Sequence, residues 1–345
     1  MQLHQLLKKI KDPILDVSLA ESTKMILQKD HLLLKSKVPL KNYAKDLKKQ
    51  ILQAAASQHI HIQSVEIETA VPMYQTQIPQ TKIEGVKNII AVSSGKGGVG
   101  KTTISVNLAL ALSALGAKVG IFDADIYGPN IPIKFGIDQK EAEVTDNDRF
   151  IPEQASNVAI MSIGLLMDQE KPMVWRGPIL SNTLQQLIKQ TAWPDLDYLI
   201  VDLPPGTGDT QLTISQKVPL VGAVIVTTPH DLSSHDAFKG IKMFEKVSIP
   251  VLGLIENMAY YQCACCDHRE DLLFNPKSKQ LKQRTDVDVF GQLPLAKELS
   301  LGIYSSNKAF SPYRAIFDQI AVQLLRQLFR MKPHPSANMP NITVI

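Results

Sequence analysis

The stretch that decides the fold is residues 88–103, NIIAVSSGKGGVGKTT, which joins an apolar run to a glycine-rich segment. Gly95 to Thr102 match the P-loop pattern, in which glycines let successive backbone N–H groups face phosphate oxygens. In such loops the lysine, here Lys101, reaches the β- and γ-phosphates, and the Thr102 hydroxyl ligates magnesium. A helical pattern follows at once and adds the partial positive charge of its N-terminus. The order of strand, loop and helix predicts a nucleotide-binding site.

Short apolar runs recur from residue 88 onward, each ending in turn residues and separated from the next by a segment of helical length. They read NIIAVSS, KVGIFDAD, NVAIMSIG, DYLIVDLP, GAVIVTTP, VLGLIENM and VDVFGQLP. Such runs are typical of strands buried on both faces, so we predict an α/β fold with a mostly parallel sheet flanked by helices. Ligands of such sheets bind beyond the carboxyl ends of the strands, where functional side chains are therefore expected.

Changes in hydrophobic pattern and composition divide the chain into four predicted segments. Before the P-loop region, helical patterns flank the extended stretch MILQKDHLLLKSKV, and a strand-like IHIQSVEIE follows, which together predict a small α+β unit. A proline-bearing stretch without periodicity predicts a linker, and the polar end of the chain predicts a loose tail. The predicted boundaries are 1–70 for the α+β unit, 71–86 for the linker, 87–331 for the P-loop ATPase domain and 332–345 for the C-terminal tail.

Composition narrows the class of protein. The apolar share of 44% and the charged share of 20% are ordinary for globular chains, and no apolar run approaches the ~18 residues of a membrane span. The N-terminus, MQLHQLLKKIKDP, lacks the features of a secretory signal, and three cysteines in 345 residues argue against a disulfide framework. A net charge of +4 is a weak indication of nucleic-acid binding. We expect a cytoplasmic protein with no membrane and no nucleic-acid partner.

Carboxylates follow two of the predicted strands. The sequence FDAD places Asp123 and Asp125 at one strand end, and Asp125 leads into a Gly-Pro turn suited to sensing the γ-phosphate. The sequence LIVDLPPGTGD places Asp202 at another, where it can hold magnesium through water, and a proline–glycine loop runs on to Asp209. Such aspartates can also be helix caps, but two of them beside a P-loop favour the nucleotide interpretation.

Two further residues have alternative interpretations. Lys96, the second lysine of the P-loop, is either a solvent-facing charge or a cation that reaches a nucleotide bound by another subunit, as an arginine finger does. Asn257, at the end of VLGLIEN, is either a turn former or an amide that contacts a base edge.

All the sulfhydryl groups of the chain lie in Tyr260 to His268, YYQCACCDH. A CxxC pair suits a redox site, half of a zinc site or half of an iron–sulfur site. The redox interpretation is disfavoured because this motif follows a strand in a P-loop domain. Metal sites of either kind take about four protein ligands, and one chain offers two well-spaced thiolates, Cys263 and Cys266, so a two-fold dimer would complete the set. The spacing does not separate zinc from iron–sulfur, and His268 is a further possible ligand.

The double-lysine loop GKGGVGKT resembles the deviant P-loop ATPases, the class of nitrogenase iron protein, MinD, ParA and the arsenite-pump ATPase. Longer blocks between residues 86 and 300 resemble the Mrp/ApbC family of iron–sulfur cluster carriers. These blocks are DADIYGPNIP, VWRGPILSNTLQQLI, DLDYLIVDLPPGTGDTQLT, TTPHDLSSHDAFKGIKMFEKVSIPVLGLIENM and YYQCACC. The first 75 residues resemble, less specifically, a small cluster-assembly domain fused in front of that ATPase.

For this sequence the resemblance implies a homodimer that binds ATP, hydrolyses it slowly and passes a [4Fe–4S] cluster from scaffold proteins to apo-proteins. Lys96 would act in trans, with Lys101, Asp125 and Asp202 serving catalysis. Cys263 and Cys266 would hold the cluster between the two chains, and no family role transfers to Cys265. Magnesium is expected at Thr102 and Asp202. The nucleotide-binding residues are expected to be Gly95, Lys96, Gly97, Gly98, Val99, Gly100, Lys101, Thr102 and Thr103, with Asn257 as the candidate base contact.

The sequence departs from the family in two places, and two rival functions stay open. The segment after the CxxC, DHREDLLFNPKSKQLKQRTDV, has no glycine where the family has a glycine-rich run, and AKELSLGIYSSNKAF replaces a second such patch.

One rival function is that of a MinD- or ParA-like ATPase positioned on a membrane or nucleoid. Against it, we predict that the amphipathic segment YRAIFDQIAVQLLRQLFRM packs on the sheet. The other is a targeting ATPase whose dimer is bridged by zinc.

Overall fold

A mostly parallel sheet of nine strands forms the centre of the computed structural model, which describes residues 2–78, 81–126, 128–138, 140–166, 177–206, 208–263, 265–271, 283–301 and 311–334. The strands are β1 Thr23–Gln28, β2 His31–Ser36, β3 Ser64–Thr69, β4 Val86–Ser94, β5 Val119–Asp123, β6 Glu153–Ala155, β7 Val158–Ser162, β8 Leu196–Asp202, β9 Leu220–Thr227, β10 Val251–Gln262, β11 Arg269–Glu270 and β12 Val289–Pro294. The helices are α1 Gln2–Lys9, α2 Leu19–Ser22, α3 Ala44–Ser57, α4 Lys101–Ala114, α5 Ile131–Phe135, α6 Gly177–Gln190, α7 Asp209–Lys217, α8 Asp231–Lys246, α9 Lys297–Leu301 and α10 Ser311–Arg330.

The central sheet has the order β11-β10-β9-β4-β8-β5-β7-β6, with β12 also paired to β10. The interior pairs are parallel, and the two short edge strands β6 and β11 pair antiparallel. Every residue of β5, β7, β8 and β9 is buried, as expected for strands covered by helices on both faces. The predicted α/β fold is therefore confirmed.

The P-loop helix α4 is buried on almost every side, because the sheet covers one face and α10 covers another. Gly116 follows the end of this helix, with a φ of +102° that a residue with a side chain adopts only under strain. Trp175 and Arg176, which precede α6, lie outside the described residues, and the described part of α6 begins at Gly177.

The N-terminal unit is a three-stranded sheet, β1-β2-β3, with helices packed on one face. The sequence suggested one extended stretch through MILQKDHLLLKSKV, whereas the structure folds it into an antiparallel hairpin that turns at Lys29, whose φ is +54°. No glycine or proline marks this turn, which explains why the pattern alone did not divide the stretch.

Helix α10 joins the N-terminal unit to the central sheet. Its apolar side chains are buried against β12 and α4, and they include Phe317, Ile320, Leu324, Leu325 and Leu328. On the other side, Arg326 Nε donates a hydrogen bond to the carbonyl of Ile14 at 2.6 Å. The apolar face that the membrane rival would need is thus packed inside the protein. Within the described residues, no helix has the length and apolar character needed to cross a bilayer.

The predicted linker is held by hydrogen bonds. Tyr74 N donates to Asn88 Oδ1 at 3.0 Å, and Tyr74 forms an isolated antiparallel bridge with Pro333. Gln77 Nε2 donates to two carbonyl groups near the end of α7. Residues 332–334 of the predicted tail are therefore anchored, and residues 335–345 lie outside the described part. The four segment boundaries stay a prediction.

Candidate functional site

The loop between β4 and α4 has the backbone shape of a phosphate cradle. Gly98 and Gly100 have φ values of +79° and +84°, in the region that favours glycine. A side chain at Gly95 would come within 2.5 Å of the backbone of Asp236, so this position also requires glycine. The residues expected to bind nucleotide, Gly95 to Thr103, thus form one loop that opens onto the N-terminus of α4.

Lys101 is a buried ammonium with nearby carboxylates but an incomplete set of hydrogen bonds. Its side chain is 6% exposed, and Nζ lies 2.9 Å from Asp202 Oδ1 and 3.6 Å from Asp125 Oδ2. Despite these ion pairs, Nζ makes no well-oriented hydrogen bond within the described residues. A buried donor without a well-oriented hydrogen bond is costly, and a phosphate oxygen is an acceptor that would satisfy it.

Asp202 collects hydroxyl donors at the carboxyl end of β8. Thr102 Oγ1 donates to its Oδ2 at 2.7 Å, and Ser105 Oγ donates to its Oδ1 at 2.7 Å. The carboxylate is fully buried. A threonine hydroxyl and a carboxylate beside a phosphate cradle form the hard oxygen set that Mg²⁺ prefers, so the residues fit the ion expected there.

Asp123 is the second buried carboxylate and lies directly across the parallel pair of strands from Asp202. Burial raises the pKa of Asp123 to about 7, and repulsion by the Asp202 carboxylate adds to the rise. Backbone N–H groups of Ile131 and Asp125, which donate to it at 3.2 and 3.1 Å, and the charge of Lys101 lower the pKa and oppose this effect. The net effect is a pKa raised well above that of an ordinary aspartate, mainly by burial.

The loop after β8 closes the opposite side of the cradle. Gly206, with a φ of +103°, donates its backbone N–H to Ser94 O at 2.9 Å, and Gln211 Nε2 donates to Ser93 Oγ. These contacts tie the proline–glycine loop and α7 to the end of β4, directly before the P-loop. Asp209 begins α7, but its side chain is outside the described set.

Lys96 and Asn257 occupy different positions around the loop. Lys96 is half-exposed and has no ion-pair partner among the residues that the structure describes. Asn257 is buried, and its Nδ2 donates to Val99 O at 2.9 Å. The asparagine therefore braces the P-loop from β10. Both predicted roles, the action of Lys96 in trans and the base contact of Asn257, stay predictions.

The cysteines lie in a hairpin at the edge of the sheet. Strand β10 ends at Gln262, which pairs with Arg269 of β11, so the cysteines occupy the loop between the two strands. Cys263 N donates to His268 O at 2.9 Å, and Asp267 N donates to Cys263 O at 3.0 Å. Cys263 is half-buried, whereas Cys265 and Cys266 are exposed.

The hairpin favours a thiolate at Cys263. Backbone N–H groups of Cys265 and then Cys266 donate to its sulfur and lower the pKa of the Cys263 thiol, and the Cys266 thiol adds to this effect. A thiolate is the form that ligates metals. In the parts of the chain that the structure describes, no group of three or more His, Cys, Asp or Glu side chains could hold a metal ion, so these residues of one chain do not make a complete metal site.

The sequence interpretation missed two hydroxyl groups of this site. Ser105 lies one helical turn after Lys101 and donates to the same carboxylate, a spacing that the helical pattern of α4 could have revealed. Ser162, at the end of β7, donates to Asp123 Oδ2 at 3.2 Å. Its role depends on the pairing of β5 with β7, which the sequence does not specify.

Comparison with known proteins agrees with this geometry. A family model described as ParA, NUBPL iron-transfer P-loop NTPase, matches residues 85–325. An iron-sulfur cluster carrier protein from Pseudomonas fragi is 48% identical over 274 residues, covering 77% of this chain and 94% of the relative. The mouse iron-sulfur cluster transfer protein NUBPL is 46% identical over 218 residues, covering 63% of this chain and 68% of the relative.

Two solved structures resemble the fold. A nucleotide-binding protein from Archaeoglobus fulgidus in complex with ADP is 33% identical and has a TM-score of 0.57, covering 73% of this chain and 95% of that one. The cell division ATPase MinD from Pyrococcus furiosus is 23% identical and has a TM-score of 0.52. The match covers 69% of this chain and 98% of the MinD chain, and it supports the fold alone. Because the family model spans more than half of the chain and the bacterial relative matches over most of its length, the chain belongs to the ParA family of NUBPL-type iron-transfer P-loop NTPases.

Proposed function

We propose that this protein is an ATP-dependent iron–sulfur cluster carrier that works as a cytoplasmic homodimer. In this proposal, Cys263 and Cys266 of two chains hold one [4Fe–4S] cluster as cargo. ATP binding and slow hydrolysis change the dimer geometry and gate release of the cluster to apo-proteins. Support comes from relatives named as iron-sulfur cluster carrier and transfer proteins and from the two sites described above.

The exposed cysteine hairpin is the observation that carries the proposal. A resident structural metal normally sits in a closed four-ligand site. Here the CxxC pair lies at a sheet edge, with Cys266 exposed and Cys263 half-buried. Two such hairpins facing each other across a two-fold axis would provide four thiolates, as a four-iron cluster requires. An open site of this kind is suited to a cargo that must leave.

The nucleotide half of the proposal rests on the buried charges. Lys101 would hold the β- and γ-phosphates, and the N–H groups of the glycine loop would hold the remaining phosphate oxygens. Thr102 and Asp202 would hold Mg²⁺, which neutralises developing phosphate charge when it is bound. Asp125, 15% exposed and 3.6 Å from Lys101, is placed to respond to the γ-phosphate.

Lys96 supports the dimer. Lys101 would already provide the cation for the phosphates bound by its own chain. Lys96 lies in the same loop and has no ion-pair partner among the described residues of that chain. A half-exposed ammonium next to a phosphate site is suited to reach a nucleotide on a second chain. The proposed dimer would thus complete the cluster site and both nucleotide sites together.

Anaerobic reconstitution with iron and sulfide tests the proposal. The wild-type protein should gain a broad absorbance near ~400 nm and shift to the mass of a dimer. The Cys263→Ala/Cys266→Ala variant should do neither, and Cys265→Ala is the matched control that keeps the CxxC pair. Absorbance that survives in the double variant would contradict the proposed ligands.

Transfer is tested separately. The loaded protein is mixed with an apo-protein that gains activity on receiving a four-iron cluster, with and without Mg²⁺ and ATP. We expect faster activation with ATP and no activation from the cysteine double variant. Loading without transfer under any condition would indicate storage and would contradict the carrier proposal.

A further inference from the structure

One strand connects the two sites. Strand β10 runs from Val251 to Gln262, so it carries Asn257 beside the P-loop and delivers Cys263 immediately after its last residue. Glu256 and Asn257 are neighbours on this strand, and both are buried. Their side chains contact different parts of the molecule. Asn257 contacts the nucleotide loop, and Glu256 begins a set of contacts that ends in the cysteine hairpin.

On the nucleotide side the contact is close. Asn257 Nδ2 donates to Val99 O at 2.9 Å, and the same amide fills the space where Gly100 has no side chain. Gly100 directly precedes the first residue of α4. The P-loop and the middle of β10 are therefore in direct contact through Asn257.

On the cysteine side, three side chains form a chain of polar contacts. Gln292 Nε2, on β12, donates to Glu256 Oε2 at 2.6 Å. Arg269 Nη2, on β11, donates to Gln292 Oε1 at 3.2 Å. The Arg269 guanidinium also lies 3.8 Å over the ring of Tyr260. Because Arg269 pairs with Gln262, this chain fixes the base of the cysteine loop to the sheet.

Between these contacts β10 is bent. Met258 has a φ of +54°, an unfavourable value for a residue with a side chain, and the register of β10 with β12 shifts between Glu256 and Tyr260. Backbone of this kind persists only where its surroundings impose it, and it is concentrated at functional and switching positions. Here the bend lies between the P-loop contact and the cysteines.

We propose that Asn257 and the Glu256–Gln292–Arg269 chain form a relay that couples nucleotide occupancy to the conformation of the cysteine hairpin, with Gln292 as its central positioning residue. The relay rests on the proposed function, since it assumes that both sites are used. Nucleotide binding shifts the P-loop and β10, and the polar chain turns that shift into a change in how the hairpin presents its thiols.

The chain offers a direct reporter of this change, because its three cysteines all lie in the hairpin. The test measures the rate at which the metal-free protein reacts with an aromatic disulfide reagent, with and without Mg²⁺ and a non-hydrolysable ATP analogue. We expect nucleotide to change the wild-type rate by about fivefold. In Gln292→Glu, two carboxylates oppose each other and the hydrogen bond to Glu256 is lost, so the rates with and without nucleotide should coincide.

A second substitution, added to Gln292→Glu, should restore the nucleotide response. In Glu256→Gln/Gln292→Glu the amide and the carboxylate exchange places, so one hydrogen bond joins them and Arg269 still has an acceptor. This double variant should regain the nucleotide response, and every variant is measured at a nucleotide concentration that saturates it, as checked by calorimetric titration. Lys242→Ala, which removes an exposed ion pair on α8, is the control for surface changes.

The outcomes separate the two proposals. A wild-type rate that ignores bound nucleotide, or a Gln292→Glu variant that responds like the wild type, would overturn the relay. A response that is lost in Gln292→Glu and not regained in the double variant would also overturn it, because a general distortion would then explain the loss. Failure to load a cluster in a protein with an intact relay would overturn the proposed function alone.

Discussion

The nucleotide pocket and the cysteine hairpin differ in how much of each site one chain provides. In the pocket, Lys101 is 6% exposed, Asp202 is fully buried, and hydroxyl groups hold the carboxylate in place. In the hairpin, Cys265 and Cys266 are exposed, and the sulfur of Cys263 is held mainly by backbone N–H groups of its own loop.

The difference indicates how each ligand is handled. Buried charges in fixed positions are arranged for a ligand of known charge and shape, because little reorganisation is needed when it binds. In the proposed function, the exposed thiols provide half of the ligands of a cluster that binds and is later released. The comparison also predicts that damage to the pocket acts within one chain, whereas damage to the hairpin or to Lys96 acts through the dimer.

The largest effect is expected from Lys101→Ala. Loss of the ammonium removes the main charged contact to phosphate, so nucleotide affinity should fall by at least about 100-fold and turnover should disappear. Calorimetric titration with ATP measures the affinity. Lys118→Ala, an exposed lysine at the opposite end of β5, is the control and should bind as the wild type does. Equal affinity in both variants would contradict the assignment of the pocket.

Lys96→Ala tests the proposal that this lysine acts on a nucleotide bound by the other chain of a dimer. Nucleotide affinity should change little, while turnover should fall on the order of 10³-fold, as for other cations supplied in trans.

Mixing Lys96→Ala with Lys101→Ala provides the decisive control for action in trans. Mixed dimers contain one intact site, so an equal mixture should recover about a quarter of wild-type turnover if subunits exchange freely. No recovery in a mixture that demonstrably forms mixed dimers would show that Lys96 acts within its own chain.

The pH dependence of stability probes the buried carboxylates. Asp123 has a folded-state pKa of about 7, above its ordinary value of 3.8, so the folded state binds the proton more tightly than the unfolded state does. This contribution to stability is complete below pH 3.8 and is lost as the pH rises through 7. The Tm of the nucleotide-free protein should therefore fall by several degrees between pH 5 and pH 8.

Asp123→Asn should flatten that fall, since the titrating group is gone. Asp195→Asn, an exposed aspartate near the other end of the sheet, should leave the slope unchanged. If the Asp123→Asn slope matches the wild type, another group is responsible for the pH dependence.

The smallest effect is expected from Cys265→Ser. The backbone N–H of residue 265, which stabilises the Cys263 thiolate, is retained in this variant, so iron and sulfide content after reconstitution should match the wild type. Cys266→Ser, one position further, should lose the cluster. Loss of half or more of the iron in Cys265→Ser would make that thiol a ligand.

The sequence predicted the parts of the molecule that depend on local pattern. Buried strands give apolar runs, the P-loop requires glycine at fixed positions, and α10 shows a helical stripe, so all of these were visible. The contacts among Glu256, Arg269 and Gln292 were not, because they depend on how β11 and β12 pair with β10 and on a register shift between β10 and β12, which the sequence pattern does not specify. The bracing role of Asn257 likewise depends on a bend at Met258 that no glycine marks.

The most direct test of the account is the iron, sulfide and zinc content of protein isolated without oxygen, together with its mass in solution. We expect about four iron and four sulfide per two chains, in a dimer, and none of either in the Cys263→Ala/Cys266→Ala variant. About one zinc per two chains without sulfide, or a loaded monomer, would contradict the central claim that two cysteine hairpins share one cluster.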